Sequence, residues 1–243
     1  MSRSTTAPPG PRRAVPDRAL LARDFLARPS VEVAPGLLGC VLEHETAEGL
    51  VAVELTEVEA YMGNADPASH AYRGMTGRNA VMFGAAGHAY VYFTYGMHFC
   101  VNIVCERPGI ASAVLLRAGR VVDGAELAVV RRSARAPLAA TGSRADGAVI
   151  SDTPDARLRI ARDLARGPAR LCQALGITRV QNGADLCDES SPLRLRVPED
   201  AVTVPVEAGP RVGVTAAAEV PWRYWLSGDP TVSAYRLHKK RAR

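Results

Sequence analysis

Lysine is almost missing from this chain: of 30 basic residues only Lys239 and Lys240 carry a side-chain amine, and both sit at the C-terminal end. A chain body without lysine has no side-chain amine for a Schiff base, so that form of covalent catalysis is excluded there. Long apolar runs are missing too. The longest, such as 90–93 and 111–116, fall far short of the roughly twenty residues a membrane helix needs, so no membrane association is expected. Cysteine is sparse and unpaired in pattern. Cys40, Cys100, Cys105, Cys172 and Cys187 contain no C-x-x-C spacing, and the pair Cys100 and Cys105 has no second pair to complete a tetrahedral site. Reduced, buried thiols are therefore expected, with no metal and no other cofactor. There is no GxGxxG or GxxxxGK[ST] phosphate loop and no internal repeat.

What is present is a chain of 243 residues with a 47% hydrophobic share, enough for the core of one domain with appendages. The net charge of +5 is carried almost wholly by arginine. It suits a polyanionic partner, although many housekeeping enzymes are as basic. Segment 1–19 holds Pro8, Pro9 and Pro11 among arginines and lacks the apolar core of a signal peptide. It reads as a disordered tail on a cytoplasmic protein, nucleoid-associated if bacterial, with the fold starting near Leu20. Segment 238–243 reads as a basic tail.

Periodicity organises the rest. A short amphipathic helix is expected over 23–28, and Pro35-Gly36 turns the chain before the apolar stretch 37–42. In the strand 50–60, Val51, Val53 and Leu55 share a face, and the two-residue period carries Glu57 and Glu59 onto that side. Segment 62–87 is rich in Gly, Asn, Asp, Pro and His, a long irregular loop of the kind that carries function. A strand follows in which Tyr90, Tyr92 and Thr94 point one way and Val91, Phe93 and Tyr95 the other. Gly96 then turns the chain, setting Tyr95 at a hairpin tip. Strands are expected at 101–104 and 113–116, separated by Pro108-Gly109, and a helix at 124–132. Segment 133–156 reads as a mobile loop. Helices follow at 158–164 and 168–175, the second opening on Gly167-Pro168. Short strands at 193–197, 202–206 and 212–214 close the fold near 222–226.

Three groups of residues could carry chemistry. A carboxylate on an apolar strand face, Glu57 or Glu59, has a raised proton affinity and can act as a base toward water, unless it is an edge residue paired with an arginine. The run 90–102 gathers Tyr90, Tyr92, Phe93, Tyr95 and Phe99 in a chain only 5% aromatic. Such residues are either strand packing or a pocket that stacks a planar ring, with a tip tyrosine able to wedge between bases. Arg117 ends an apolar strand, where it could clamp a phosphate or close a salt bridge. Arg157, Arg159, Arg162 and Arg166 suit either backbone contacts or a solvated helix face.

Taken in order, Val58-Glu59-Ala60-Tyr61, Ala68-Ser69-His70, Arg78-Asn79-Ala80-Val81-Met82-Phe83, the run from Tyr90 to Asn102, and Leu115-Leu116-Arg117 resemble the motifs of the alkyladenine (3-methyladenine, methylpurine) DNA glycosylase family. Gly167-Pro168-Ala169-Arg170-Leu171-Cys172 and Arg211-Val212-Gly213-Val214 extend the resemblance, which covers about residues 20–233. It implies a mixed α/β fold, a single compact domain around a curved, largely antiparallel sheet with a protruding hairpin, occupying 20–237 and acting as a monomer. It also implies that Glu59 activates a water beside Arg117, that Tyr61, His70, Tyr92 and Asn102 line a pocket for a flipped base, and that Tyr95, with Met97 beside it, enters the DNA stack. The implied partner is double-stranded DNA containing damaged purines, and the implied product an abasic site without strand cleavage. His98 stands where some relatives carry tyrosine, which bears on substrate breadth. Two other classes remain open at this point: a non-catalytic minor-groove binding module, and a metal-dependent hydrolase using Asp66, His70 and His88.

Overall fold

The computed structural model describes residues 18–94, 96–133 and 153–235. Two single-turn helices, α1 (Arg23–Leu26) and α2 (Ser30–Val33), lead through a 3-10 turn at Ala34–Leu37 into the hairpin of β1 (Val41–Thr46) and β2 (Gly49–Tyr61). The irregular stretch that follows contains only the 3-10 turns Gly63–Ala65 and Ala80–Phe83. Next come β3 (Ala89–Thr94), β4 (His98–Val104), β5 (Ala113–Asp123) and α3 (Ala125–Ser133). The last part holds α4 (Pro154–Asp163), β6 (Ala165–Arg166), α5 (Pro168–Leu175), β7 (Leu193–Arg196), β8 (Val206–Gly209) and β9 (Arg223–Leu226). The expected mobile loop at 133–156, both tails and Tyr95 fall wholly or mostly outside the described residues.

The strands form one antiparallel sheet in the order β3-β4-β5-β2-β1-β7, with β6 on β5 and β9 between β2 and β8. The mixed α/β, curved antiparallel architecture is as expected. Its curl has a local cause in β2, which pairs with β1 through Glu54 and then takes β9 as its neighbour over Glu57–Glu59. On its other edge β2 runs along β5, where the register reads Leu55↔Gly119, Glu57↔Ala118, Val58↔Leu116. One extra residue, Thr56, is inserted in β2, and one, Arg117, in β5. Paired bulges of this kind bend the strands and re-aim their side chains. Gly119 permits the close approach: a Cβ there would lie 2.4 Å from both the Glu54 carbonyl oxygen and Val53 Cγ1.

The bulge also changes which face each residue occupies. Val51, Val53 and Leu55 pack in the main core, but so do Val58 and Ala60. The period has slipped by one, so Glu57 and Glu59 are turned away from the face that Val51, Val53 and Leu55 occupy, contrary to the expectation from unbroken alternation.

Helix α5 covers the core side, burying Leu171, Cys172, Ala174 and Leu175, with Pro168 in its first turn. It ends at Gly176, in the left-handed conformation (φ 70°), whose N–H bonds back to Cys172 and Gln173. Each fully buried leucine stabilises the fold by about 1.5–3 kcal/mol. A second small core of Ala71, Met82, Tyr90, Val104, Ala111 and Ala113 holds the irregular 62–88 stretch against β3 and β4.

Four elements differ from expectation. Helix α1 spans four residues rather than the expected six. Strand β1 continues through Glu43 and His44, which are buried because Arg194 and Arg196 pair with Glu43 and the Leu175 carbonyl bonds His44. The strand expected at 202–206 starts at Val206, and 212–214 is no strand, because Gly213 is left-handed (φ 76°). All five cysteines are free, four of them buried, and burial pushes the Cys40 thiol up to about 12. Among the described residues no helix is long and apolar enough to cross a membrane.

Candidate active site

The slipped face of β2 carries Glu57, Glu59 and Tyr61 in sequence, and the bulged Arg117 of β5 lies opposite. Arg117 Nε donates to Glu57 Oε1 at 2.9 Å, and its Nη1 stands 3.3 Å from Glu59 Oε1. The two carboxylates are fully buried yet differ in what surrounds them. Glu57 also accepts from Arg223 Nε at 2.6 Å and from the Ser233 amide and hydroxyl at 2.7 and 2.9 Å. Burial alone would raise the Glu57 carboxyl, but Arg117 and Arg223 outweigh it and hold it below the usual carboxylate range. Three of its donors crowd Oε1, and the two guanidinium groups make it a fixed counter-ion.

Glu59 has three donors. Besides Arg117, the Tyr61 hydroxyl donates to Oε2 at 2.8 Å and the Val212 amide to Oε1 at 2.7 Å. Oε2 thus has a single partner and room for a second donor. Burial, then the adjacent Glu59, pushes the Tyr61 phenol well up, so it stays a donor. Burial works against the Arg117 charge, and Glu59 and Glu57 more than offset it.

Above this floor opens a cleft of about 530 Å³ lined by Tyr61, His70, Tyr92, Asn102, Arg117 and Val212, among others. Tyr90 and Tyr92, two apart on β3, stack at 5.6 Å between ring centroids, and His70 meets Tyr92 edge-on at 4.5 Å. His70 Nδ1 pairs with the Tyr90 hydroxyl at 3.1 Å, and Asn102 Nδ2 donates to the Tyr90 carbonyl at 3.1 Å. Burial among these rings, then the nearby Arg78, lowers the His70 pKa and favours the neutral imidazole. The structure thus brings together six of the eight sequence-derived site residues. Met97 is 64% exposed on the β3–β4 turn, outside the cleft, and Tyr95 is not among the described residues.

The cleft has a wall that sequence reasoning missed. Arg211 is fully buried, bonded twice to Asp66 at 2.5 and 2.9 Å and once to the Ala60 carbonyl at 3.0 Å. Its guanidinium also lies 4.6 Å from the Tyr61 ring centroid and 5.1 Å from that of Trp222. This arrangement fixes the segment whose next residue gives its amide to Glu59. An arginine heading the apolar Val212-Gly213-Val214 was the available signal. Both Asp66 oxygens are engaged by Arg211, and His88 turns its Nδ1 to the Ala85 carbonyl, which disperses the metal-ligand set considered above. Among the described residues no group of three or more His, Cys, Asp or Glu could hold a metal ion. Of the expected arginine group, Arg162 and Arg166 join Arg170 around Asp163 at 3.3–3.8 Å.

A buried glutamate under an aromatic cleft occurs in enzymes of several classes, and comparison with known proteins decides among them. The family described as Methylpurine-DNA glycosylase matches residues 24–230, which include Glu57, Glu59, the whole cleft-lining hairpin, Arg117 and Arg211. The chain belongs to the methylpurine-DNA glycosylase family. Among its curated relatives is a Streptomyces avermitilis protein 49% identical over 95% of this chain and 98% of its own length. Another, from Leifsonia xyli, is 50% identical over 89% of this chain and 92% of the relative. A third, from Nocardia farcinica, is 48% identical over 82% and 84% respectively. Each bears the name "Putative 3-methyladenine DNA glycosylase". The resemblance read from the ordered motifs is therefore borne out at the level of the family, and the methylpurine-DNA glycosylase fold covers nearly all of the described chain.

Proposed function

We propose that this protein is a monofunctional base-excision-repair hydrolase that flips an alkylated or deaminated purine out of double-stranded DNA and hydrolyses its N-glycosidic bond. The observation that supports this most is a glutamate buried beneath an aromatic cleft, with three donors around it and Oε2 open to one more. Glu59 takes a proton from a water as the water oxygen bonds to C1′ of the sugar. The C1′–N bond breaks and its electron pair leaves with the purine, cancelling the positive charge of an alkylated ring, whereas an uncharged deaminated purine leaves as an anion that takes a proton from water; an abasic site remains in either case. The anionic Glu59 also favours the positive charge developing at C1′. Flipping costs a few kcal/mol and is least costly for a damaged or mispaired base.

Tyr61, His70, Tyr92 and Asn102 receive the base, and a cationic purine gains about 1–2 kcal/mol there over a neutral one. Arg117, whose Nη groups each keep a free N–H, steadies the target nucleotide's phosphate and the water. Tyr95 fills the vacated place in the stack, and Met97, exposed between β3 and β4, enters beside it. The glycosylase domain spans 20–237 and works as a monomer, in the cytoplasm or on the nucleoid. A non-catalytic groove binder would give no use to Glu59.

The test offers the protein duplexes containing 3-methyladenine, 7-methylguanine, hypoxanthine or etheno-adenine, with a chelator present, and identifies released bases by chromatography. Free base and an unbroken strand that alkali then cleaves is the expected result. No released base from any duplex overturns the proposal, and cleavage without alkali overturns its monofunctional part.

A further inference from the structure

Glu57 lies two residues from Glu59 and is held below the usual carboxylate range by Arg117 and Arg223, so it is a poor base toward water, yet it contacts Arg117, whose guanidinium also faces Glu59. The charges form a buried chain: Arg223, Glu57, Arg117, Glu59. Three of the four groups sit where the paired bulges of β2 and β5 put them, and Arg223 arrives from β9, which pairs with β2 over Glu57–Glu59. Arg223 is itself held by stacking on Trp225 at 4.6 Å and by donating to the Ser233 carbonyl at 2.8 Å. Arg117 is fixed at three points: Nε on Glu57, Nη2 on the Ser233 hydroxyl at 3.2 Å, and Nη1 toward Glu59.

We infer that Glu57 is a positioning residue for base excision, neutralising Arg117 and Arg223 together and aiming Arg117 so that Glu59 meets only its Nη1. Without Glu57, two buried guanidinium charges would be balanced by Glu59 alone, and a carboxylate so surrounded is a weaker base. The other groups facing Glu59 do not replace Glu57. Tyr61 and Tyr92 are phenols kept neutral by burial, Cys100 is a thiol kept neutral by burial, and Arg211 is committed to Asp66. The inference rests on Glu59 being the water-activating base.

The test is the pH dependence of single-turnover base release from a 7-methylguanine duplex, whose fixed positive charge leaves the acid limb to report the protein's own base. For Glu57→Gln the acid limb is expected to move down by about one pH unit, with a several-fold lower plateau. Arg223→Met removes the opposite charge and is expected to move the limb up by a smaller amount, while Glu59→Gln serves as the inactive reference. A folded Glu57→Gln protein with the wild-type limb overturns the inference, because a purely structural role lowers the active fraction without shifting the profile. Should Glu57→Gln not fold, Arg223→Met decides: a displaced limb supports the inference and an unmoved one overturns it. Wild-type release by Glu59→Gln would instead remove the underlying assignment of the base, an outcome distinct from failure of the Glu57 role alone.

Discussion

Asp66→Asn tests how the cleft wall is held. Asp66 and Arg211 are both fully buried side chains, and Arg211 has only the Ala60 carbonyl and the Tyr61 and Trp222 ring faces besides Asp66. Removing one partner of a buried pair leaves an uncompensated charge and costs about 3–5 kcal/mol. For a domain of this size each kcal/mol lowers Tm by about 2–4 °C, so a fall of about 6–20 °C is expected. Asp66 also accepts from the Ala68 amide on Oδ1 at 3.0 Å and from the Met62 amide on Oδ2 at 3.3 Å, and asparagine, with one carbonyl oxygen, keeps only one of the two. The loss therefore reports the charge together with one amide contact, and the charge is the larger part. The paired change Asp66→Leu with Arg211→Met removes both charges and is expected to cost less than Asp66→Asn alone, because desolvation of both ions is relieved. Urea and thermal unfolding of the wild type, Asp66→Asn and the paired variant give the comparison. A cost for Asp66→Asn below about 1 kcal/mol, or a double variant less stable than the single one, would refute the reasoning.

Tyr61→Phe removes the donor to Glu59 Oε2, a hydrogen bond to a charged group worth about 1.5–3 kcal/mol, so base release should fall at least about tenfold. Release at the wild-type rate would exclude the hydroxyl from the reaction. Burial lowers the pKa of His44, and burial followed by Arg78 lowers that of His70, so both take up a proton more readily when unfolded. Between their folded values and about 6.5 the unfolded state binds more protons, and stability rises with pH. The urea midpoint should accordingly fall as pH is lowered through about 6.5, and less steeply in His44→Gln; an unchanged slope contradicts this. Tyr95→Ser should weaken binding of a damaged duplex more than it alters Tm, and wild-type affinity would remove Tyr95 from the stack-filling role.

Local signals were legible where they needed no distant partner. Gly167-Pro168 opens α5, and the tyrosine alternation of 90–94 gives β3 its faces. The cleft residues were legible because Tyr61, His70, Tyr92, Asn102 and Arg117 belong to motifs whose order survives in the sequence. The bulge at Thr56 was not, because it is a mismatch of register with β5, some sixty residues away, and it reversed the face assigned to Glu57 and Glu59. Nor was the role of 212–214: alternating valines suggest a strand, whereas the left-handed Gly213 and the Val212 amide given to Glu59 make it a cleft wall. Strand β1 was hidden by Glu43 and His44, polar residues whose burial depends on Arg194, Arg196 and the end of α5.

The central claim is that Glu59 activates the water, and single-turnover release of 7-methylguanine by Glu59→Gln tests it most directly. Glutamine keeps the shape and can still accept from Tyr61 or Val212, but it cannot take the proton. The account predicts release at least about a hundredfold slower, with binding of the damaged duplex retained. A folded Glu59→Gln protein that releases the base at the wild-type rate would contradict it.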